Sequence, residues 1–93
     1  MSDTGNIPES VRDELISAFD GARDAVRSGD TAAARDCLAT ASRLLDNDVP
    51  PGPVAEQLRH GIDAAERTAA DEPVVASEYL RLVRRLLDTS ADD

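Results

Sequence analysis

The sequence predicts an all-α protein: a four-helix bundle made of two antiparallel helical hairpins. Three observations predict it. Apolar residues recur at three- and four-residue spacing in four separate stretches, the period of helices with one greasy face. Glycine, proline and aspartate punctuate the chain between those stretches, where helices start and stop. The first junction is too short for anything but antiparallel neighbours. With 93 residues, the chain reads as one domain over residues 1–93, with helices at about 8–28, 31–46, 53–70 and 73–88.

In chain order, Met1 to Gly5 read as a disordered leader. Asn6 with Glu9 fits a capping box, although Pro8 pushes Ile7 away from helical geometry and Ser10 is an alternative start. Val11, Leu15, Ala18, Phe19, Ala22 and Val26 then mark the first amphipathic helix. It should end near Ser28, because Gly29 suits the left-handed residue beyond a helix end and Asp30 is a good cap for the next helix. The second helix carries Ala34, Cys37, Leu38, Ala41, Leu44 and Leu45 on one side. The segment Asp46-Asn47-Asp48-Val49-Pro50-Pro51-Gly52-Pro53 breaks it, since three prolines and a glycine cannot continue a helix. Pro53 is acceptable in the first turn of the third helix, which bears Val54, Leu58, Ile62, Ala65 and Ala69. Asp71-Glu72-Pro73 separates it from the fourth.

The fourth helix has the clearest two-sided pattern. Val75, Ala76, Tyr79, Leu80, Leu82, Val83, Leu86 and Leu87 fall in one arc roughly 160° wide, with only Val74 outside it. Such an arc touches two neighbours, so this helix is expected to be the most buried and to supply most of the large core side chains. Beyond Thr89 the chain should fray, Asp92 and Asp93 being unfavourably placed near a helix C-terminus. The hairpins also resemble one another: Arg43-Leu44-Leu45-Asp46 recurs as Arg85-Leu86-Leu87-Asp88, Ala34 and Leu38 match Ala76 and Leu80, and Gly21, Ala25 and Arg27 fall against Gly61, Ala65 and Arg67. A repeat of about 40 residues is in the range of helical repeat units. Gly21 and Gly61 are disfavoured inside helices by about 1 kcal/mol relative to alanine; a crossing of the first and third helices, or a dimer seam, would explain them.

Charge narrows the function classes. Nineteen acidic residues stand against ten basic ones, giving −9 and a pI near 4.4. All ten basic residues are arginine, and there is no lysine. Together with abundant alanine and aspartate and few bulky side chains, this composition resembles that of proteins from salt-accumulating haloarchaea. Such a chain repels itself in dilute buffer, whereas at 1 M salt the screening length falls to about 3 Å. A core built largely from alanine buries little area at roughly 25 cal/mol per Å², so self-association is expected. The start is polar, with neither a signal peptide nor an apolar run long enough to span a membrane. A cytoplasmic protein is the expectation.

The run Ala22-Arg23-Asp24-Ala25-Val26-Arg27-Ser28-Gly29-Asp30-Thr31-Ala32-Ala33-Ala34 resembles the helix, Gly-Asp turn and alanine-rich helix of tetratricopeptide-type hairpins, and of small haloarchaeal helical proteins. It covers about a third of the chain. The aromatic signature positions of the tetratricopeptide repeat are not filled, and Ala70-Asp71-Glu72-Pro73 replaces a second matching turn. The resemblance implies a protein-binding scaffold and names no ligand.

No residue set points to catalysis, and no cofactor is implied. Cys37 lies in an apolar stripe, the setting of a small hydrophobe rather than of a reactive thiol. His60 has no partners at metal or triad spacing, and the Glu-x-x-His pattern of helical-bundle metal sites is absent. Asp46-Asn47-Asp48 begins like a calcium loop, but Pro51 stands at its glycine turn and Gln57 at its bidentate glutamate. Arg81, Arg84 and Arg85 are the candidate contact residues. Glu78 with Arg81 and Arg84 with Asp88 sit at helical pair spacing, which favours a solvated, internally paired face over a site. Nucleic-acid binding through these arginines is the alternative; net charge and salt disfavour it, because each phosphate contact steepens the loss of affinity with salt. The expectation is therefore a non-enzymatic interaction module, homodimeric or docked on a protein partner, using Arg81, Arg84 and Arg85 or an apolar remnant of the first helix.

Overall fold

Gly29 and Asp30 fold the first hairpin as the sequence predicts. The structure is a computed structural model that describes residues 7–91, with side chains through residue 88. Helices α1 (Glu9–Arg27) and α2 (Thr31–Asp48) are joined by three residues. Gly29 adopts φ +82°, so the Asp30 and Gly29 N–H groups turn back to donate to Ala25 and Val26 carbonyls at 2.8 and 3.1 Å. This is the glycine-terminated helix end that satisfies otherwise orphaned carbonyls. The Asp30 carboxylate then accepts from Ala33 N–H at 3.1 Å and caps α2.

Helices α3 (Pro53–Thr68) and α4 (Pro73–Ala91) form the second hairpin. Both open on a proline, whose missing N–H costs nothing in a first turn. The chain is thus an all-α bundle with no strand among its described residues. α1 packs on α2 and α4, and α3 packs on α4 and, least extensively, on α2; the backbones of the diagonal pairs do not approach closely. Arg59 reaches back across the proline linker to Asp46 at 2.7 Å, tying α3 to α2.

The described core is wholly apolar, with no buried polar or charged residue and no buried side-chain polar atom left unpartnered. Its largest fully buried side chains are Leu15 and Phe19 from α1, Leu38 and Leu45 from α2, Leu58 from α3, and Leu80 and Leu87 from α4. Each contributes about 1.5–3 kcal/mol, and every helix supplies at least one. The expectation that the last helix is the most buried and furnishes most of the large core side chains is therefore corrected. α4 does contact two neighbours, but only Ala76, Leu80, Val83 and Leu87 of its apolar arc are buried. They match the buried Ala34, Leu38, Ala41 and Leu45 of α2 one for one.

The glycines are a second correction. α1 and α3 do not cross; a Cβ at Gly21 would stand 3.1 Å from the Cys37 sulfur on α2, and one at Gly61 would overlap Val83 on α4. Each glycine marks close approach within its own hairpin. Boundaries also move. α1 begins behind Pro8 with no side-chain cap, α2 runs on to Asp48 with Val49 buried beyond it, α3 stops at Thr68, and α4 continues to Ala91. The leader, the Asn6 half of the capping box, and Asp92 and Asp93 lie outside the described residues.

Candidate functional site

The half of the α4 arc that the core does not use forms a surface stripe. Val75, Tyr79 and Leu82 are 38, 37 and 57% exposed, and Leu86 is half-buried beside them. Val74, the residue outside the arc, is more exposed still but faces another side of α4, near Val26 and Arg27. No other helix exposes a large apolar side chain among the described residues. Of the two expected surfaces, Arg81, Arg84 and Arg85 or an apolar remnant of the first helix, the second is reduced, since Val11 and Ile16 are half-buried against the core.

Beside the stripe runs a groove of about 700 Å³ between α3 and α4. Its floor is Gly61, Ala64 and Val83, small or buried residues that let the two backbones close in. Tyr79, Leu82 and Leu86 make its apolar wall, and Gln57, His60, Arg67 and Arg85 edge it. Among the described residues no acidic side chain lines it, although acids outnumber bases nearly two to one in the chain. His60 is exposed at this edge, as expected of a surface histidine.

The three arginines do come together, with Arg23 and Asp88, around a shallow hollow of about 360 Å³ on the α1–α4 side. Most of their charge is engaged there. Arg84 reaches Asp20 on α1 and Asp88 on its own helix, both at 3.0 Å. Arg81 pairs with Glu78 at 3.7 Å, and Arg23 donates to the Ser77 hydroxyl at 3.2 Å. Arg85 borders both the hollow and the groove. The hollow thus joins α1 to α4 as much as it faces outward. Cys37 is half-buried against the core over Gly21. Asp46 of the calcium-like run is held by Arg59. Among the described residues no group of three or more His, Cys, Asp or Glu is placed to hold a metal ion, and no helix is long and apolar enough to cross a membrane.

A family model described as "Domain of unknown function (DUF8101)" matches residues 1–89. The chain belongs to that family. No curated protein and no solved structure matches it. The match to the DUF8101 family takes in α1, α2, α3 and nearly all of α4, so the stripe and the groove lie within the family's own unit.

Sequence reasoning assigned Tyr79, Leu82 and Leu86 to the core, against which only Leu86 of the three packs; it missed the groove. Helical periodicity places residues on a face without saying how much of that face a neighbour covers. The signal that was available is on α3, where Gly61 inside a helix marks close approach to a neighbour, here Val83 of α4.

Proposed function

We propose that this chain is a non-enzymatic protein–protein interaction module of a salt-rich cytoplasm, and that it self-associates. One observation carries the reading: the exposed apolar side chains Val75, Tyr79 and Leu82 share one stripe of one helix, continuous with a groove that no acidic side chain lines among the described residues. Scattered apolar residues on a surface need no explanation, but a contiguous patch rimmed by polar groups marks an interaction site. Self-association also suits a core rich in alanine, because a second copy covers area that the single chain leaves wet.

Salt decides whether two such chains can meet. At −9 each they repel over the roughly 10 Å screening length of 0.1 M salt, and at 1 M that length is about 3 Å. The hollow that gathers Arg81, Arg84 and Arg85 with Arg23 supports a second reading, a nucleic-acid-associated regulator using the Arg81, Arg84 and Arg85 face. Arg81 and Arg84 already carry carboxylate partners and Arg23 donates to a hydroxyl, and molar salt would remove most of the affinity that phosphate contacts give.

The test is light scattering coupled to size exclusion in molar potassium chloride and in dilute buffer, with far-ultraviolet circular dichroism on both. A helical dimer in high salt that dissociates or unfolds in low salt is expected. A strict monomer across a hundredfold range of concentration in molar salt would overturn the reading.

A further inference from the structure

We propose that the groove between α3 and α4 takes an amphipathic helix of another protein, apolar on the face it inserts and acidic along the flank that meets α3. This rests on the interaction-module reading, whose partner it describes, and is independent of self-association. Gln57, His60, Gly61, Ala64 and Arg67 line the α3 side and share one face over about 15 Å of helix. Tyr79, Leu82, Val83 and Leu86 line the other side. The two walls thus differ in kind, with polar side chains on the rim of α3 and apolar surface on α4.

The walls select the form of the occupant. Both are α-helices, whose backbone groups bond along their own axes, so an extended segment would find no main-chain partners there. A helix satisfies its own backbone and seats side chains at three- and four-residue spacing between two others. The groove is also open to solvent along its face, whereas sites for small molecules bury roughly 70–90% of the ligand.

Charge sets the sign of the partner. Among the described residues the side chains of Gln57, His60, Arg67 and Tyr79 make no hydrogen bond or ion pair, although Asp63 stands one turn before Arg67. All four can donate, and among the described residues no acidic side chain lines the groove to receive them. Carboxylates only accept, so an acidic flank complements this rim. His60 and Arg67 lie two turns apart, about 10 Å, which a helix running along α3 matches with carboxylates at the same interval. The groove of a second copy carries the same donors, so the complement belongs to another chain. The net charge of −9 opposes an acidic partner in dilute buffer. In molar salt that charge is screened beyond about 3 Å, and the groups in contact decide.

Two rhodamine-labelled peptides of roughly four helical turns test this. Both carry leucines at the spacing of helix anchors, with glutamates along one flank of the first and lysines at the same places in the second. Anisotropy is read against the full chain in molar potassium chloride, and circular dichroism confirms that each variant is helical. The glutamate peptide should bind at least about fivefold tighter than the lysine peptide. Arg67→Glu should erase or reverse that preference, and Leu82→Ser should weaken both peptides about tenfold. Arg35→Glu makes the same charge change at an exposed place on α2 outside the groove, and should leave both affinities within about twofold. Equal affinities in the parent, or equal responses to the Arg35 and Arg67 changes, would overturn the acidic partner. Saturable binding of potassium decanoate with neither peptide bound would give the groove to a small anionic amphiphile, and a dimer by light scattering that binds neither peptide would give it to a second copy; each overturns the helix. A monomer that binds the glutamate peptide would sustain the groove and remove self-association, whereas a monomer that binds neither peptide would overturn both.

Discussion

Gly21 and Gly61 occupy matching places in the two hairpins, yet the same substitution should act on them with opposite consequence. Alanine is favoured over glycine in a helix interior by about 1 kcal/mol, and this gain is common to both. At Gly21 the new methyl would meet only the Cys37 sulfur, at 3.1 Å, on a half-buried side chain that can turn toward solvent. Gly21→Ala should therefore leave stability within about 0.5 kcal/mol of the parent, or raise it. At Gly61 the methyl would overlap Val83, which is 4% exposed and, being β-branched, stiff about its first torsion. Overpacking of this kind costs about 1–3 kcal/mol, more than the helix gain returns, so Gly61→Ala should be destabilising. Urea unfolding of both variants checks the pair, and Val83→Ala added to Gly61→Ala should recover part of the loss. A destabilised Gly21→Ala with a neutral Gly61→Ala would refute the assigned contacts. That glycine needed a reason inside these helices was legible in the sequence; which helix supplied it was not, since close approach depends on packing order.

At the scale of elements, the turn between α1 and α2 and the face of α4 show what a single sequence specifies. Gly29 and Asp30 were legible because their roles are local: a backbone at φ +82° and a carboxylate reaching an N–H three residues on depend on no distant partner. Gly29→Ala should cost about 1 kcal/mol from the left-handed conformation, and Asp30→Ala about 1 kcal/mol from the lost cap. Since both act on one junction, the double variant should fall short of the sum. Thermal melts followed by circular dichroism measure all three, and a neutral Gly29→Ala would contradict the turn. The α4 arc was legible as a pattern and misread as a burial. Arg84 and Ser77 turn toward α1 through Asp20 and Arg23, and Val83 turns toward Gly61. Those three contacts fix the rotation of α4 and leave Val75, Tyr79 and Leu82 facing outward. Nothing within α4 encodes that rotation; it is set by residues of α1 and α3.

For the whole molecule, the balance of charge sets how stability responds to salt, and two effects of opposite sign compete. Ion pairs such as Arg59 with Asp46 and Arg84 with Asp20 are about half exposed, and pairs of that kind contribute roughly 0–1 kcal/mol each, less as salt rises. Opposing them, nineteen acidic residues share a 93-residue chain with ten arginines, and folding confines that excess to a surface where it repels itself. The repulsion is spread over all helices whereas the attractive pairs are few, so screening should remove more cost than benefit. Stability should rise between about 0.1 and 2 M potassium chloride as the screening length drops from about 10 Å to a few ångströms. For a chain of this size each kcal/mol moves the midpoint by about 4–8 °C, so an upward shift of several degrees is expected. Dimerisation would raise the midpoint as well, through mass action, and Leu82→Ser separates the two. Leu82 is 57% exposed in the single chain, so serine there takes little from the monomer's core while removing the most exposed residue of the stripe. The parent should then show a midpoint that rises with both salt and protein concentration. Leu82→Ser should keep the salt response and lose the concentration response. A variant midpoint that stays flat or falls with potassium chloride would place the salt requirement in assembly rather than in the fold, and self-repulsion within the single bundle would not be its cause.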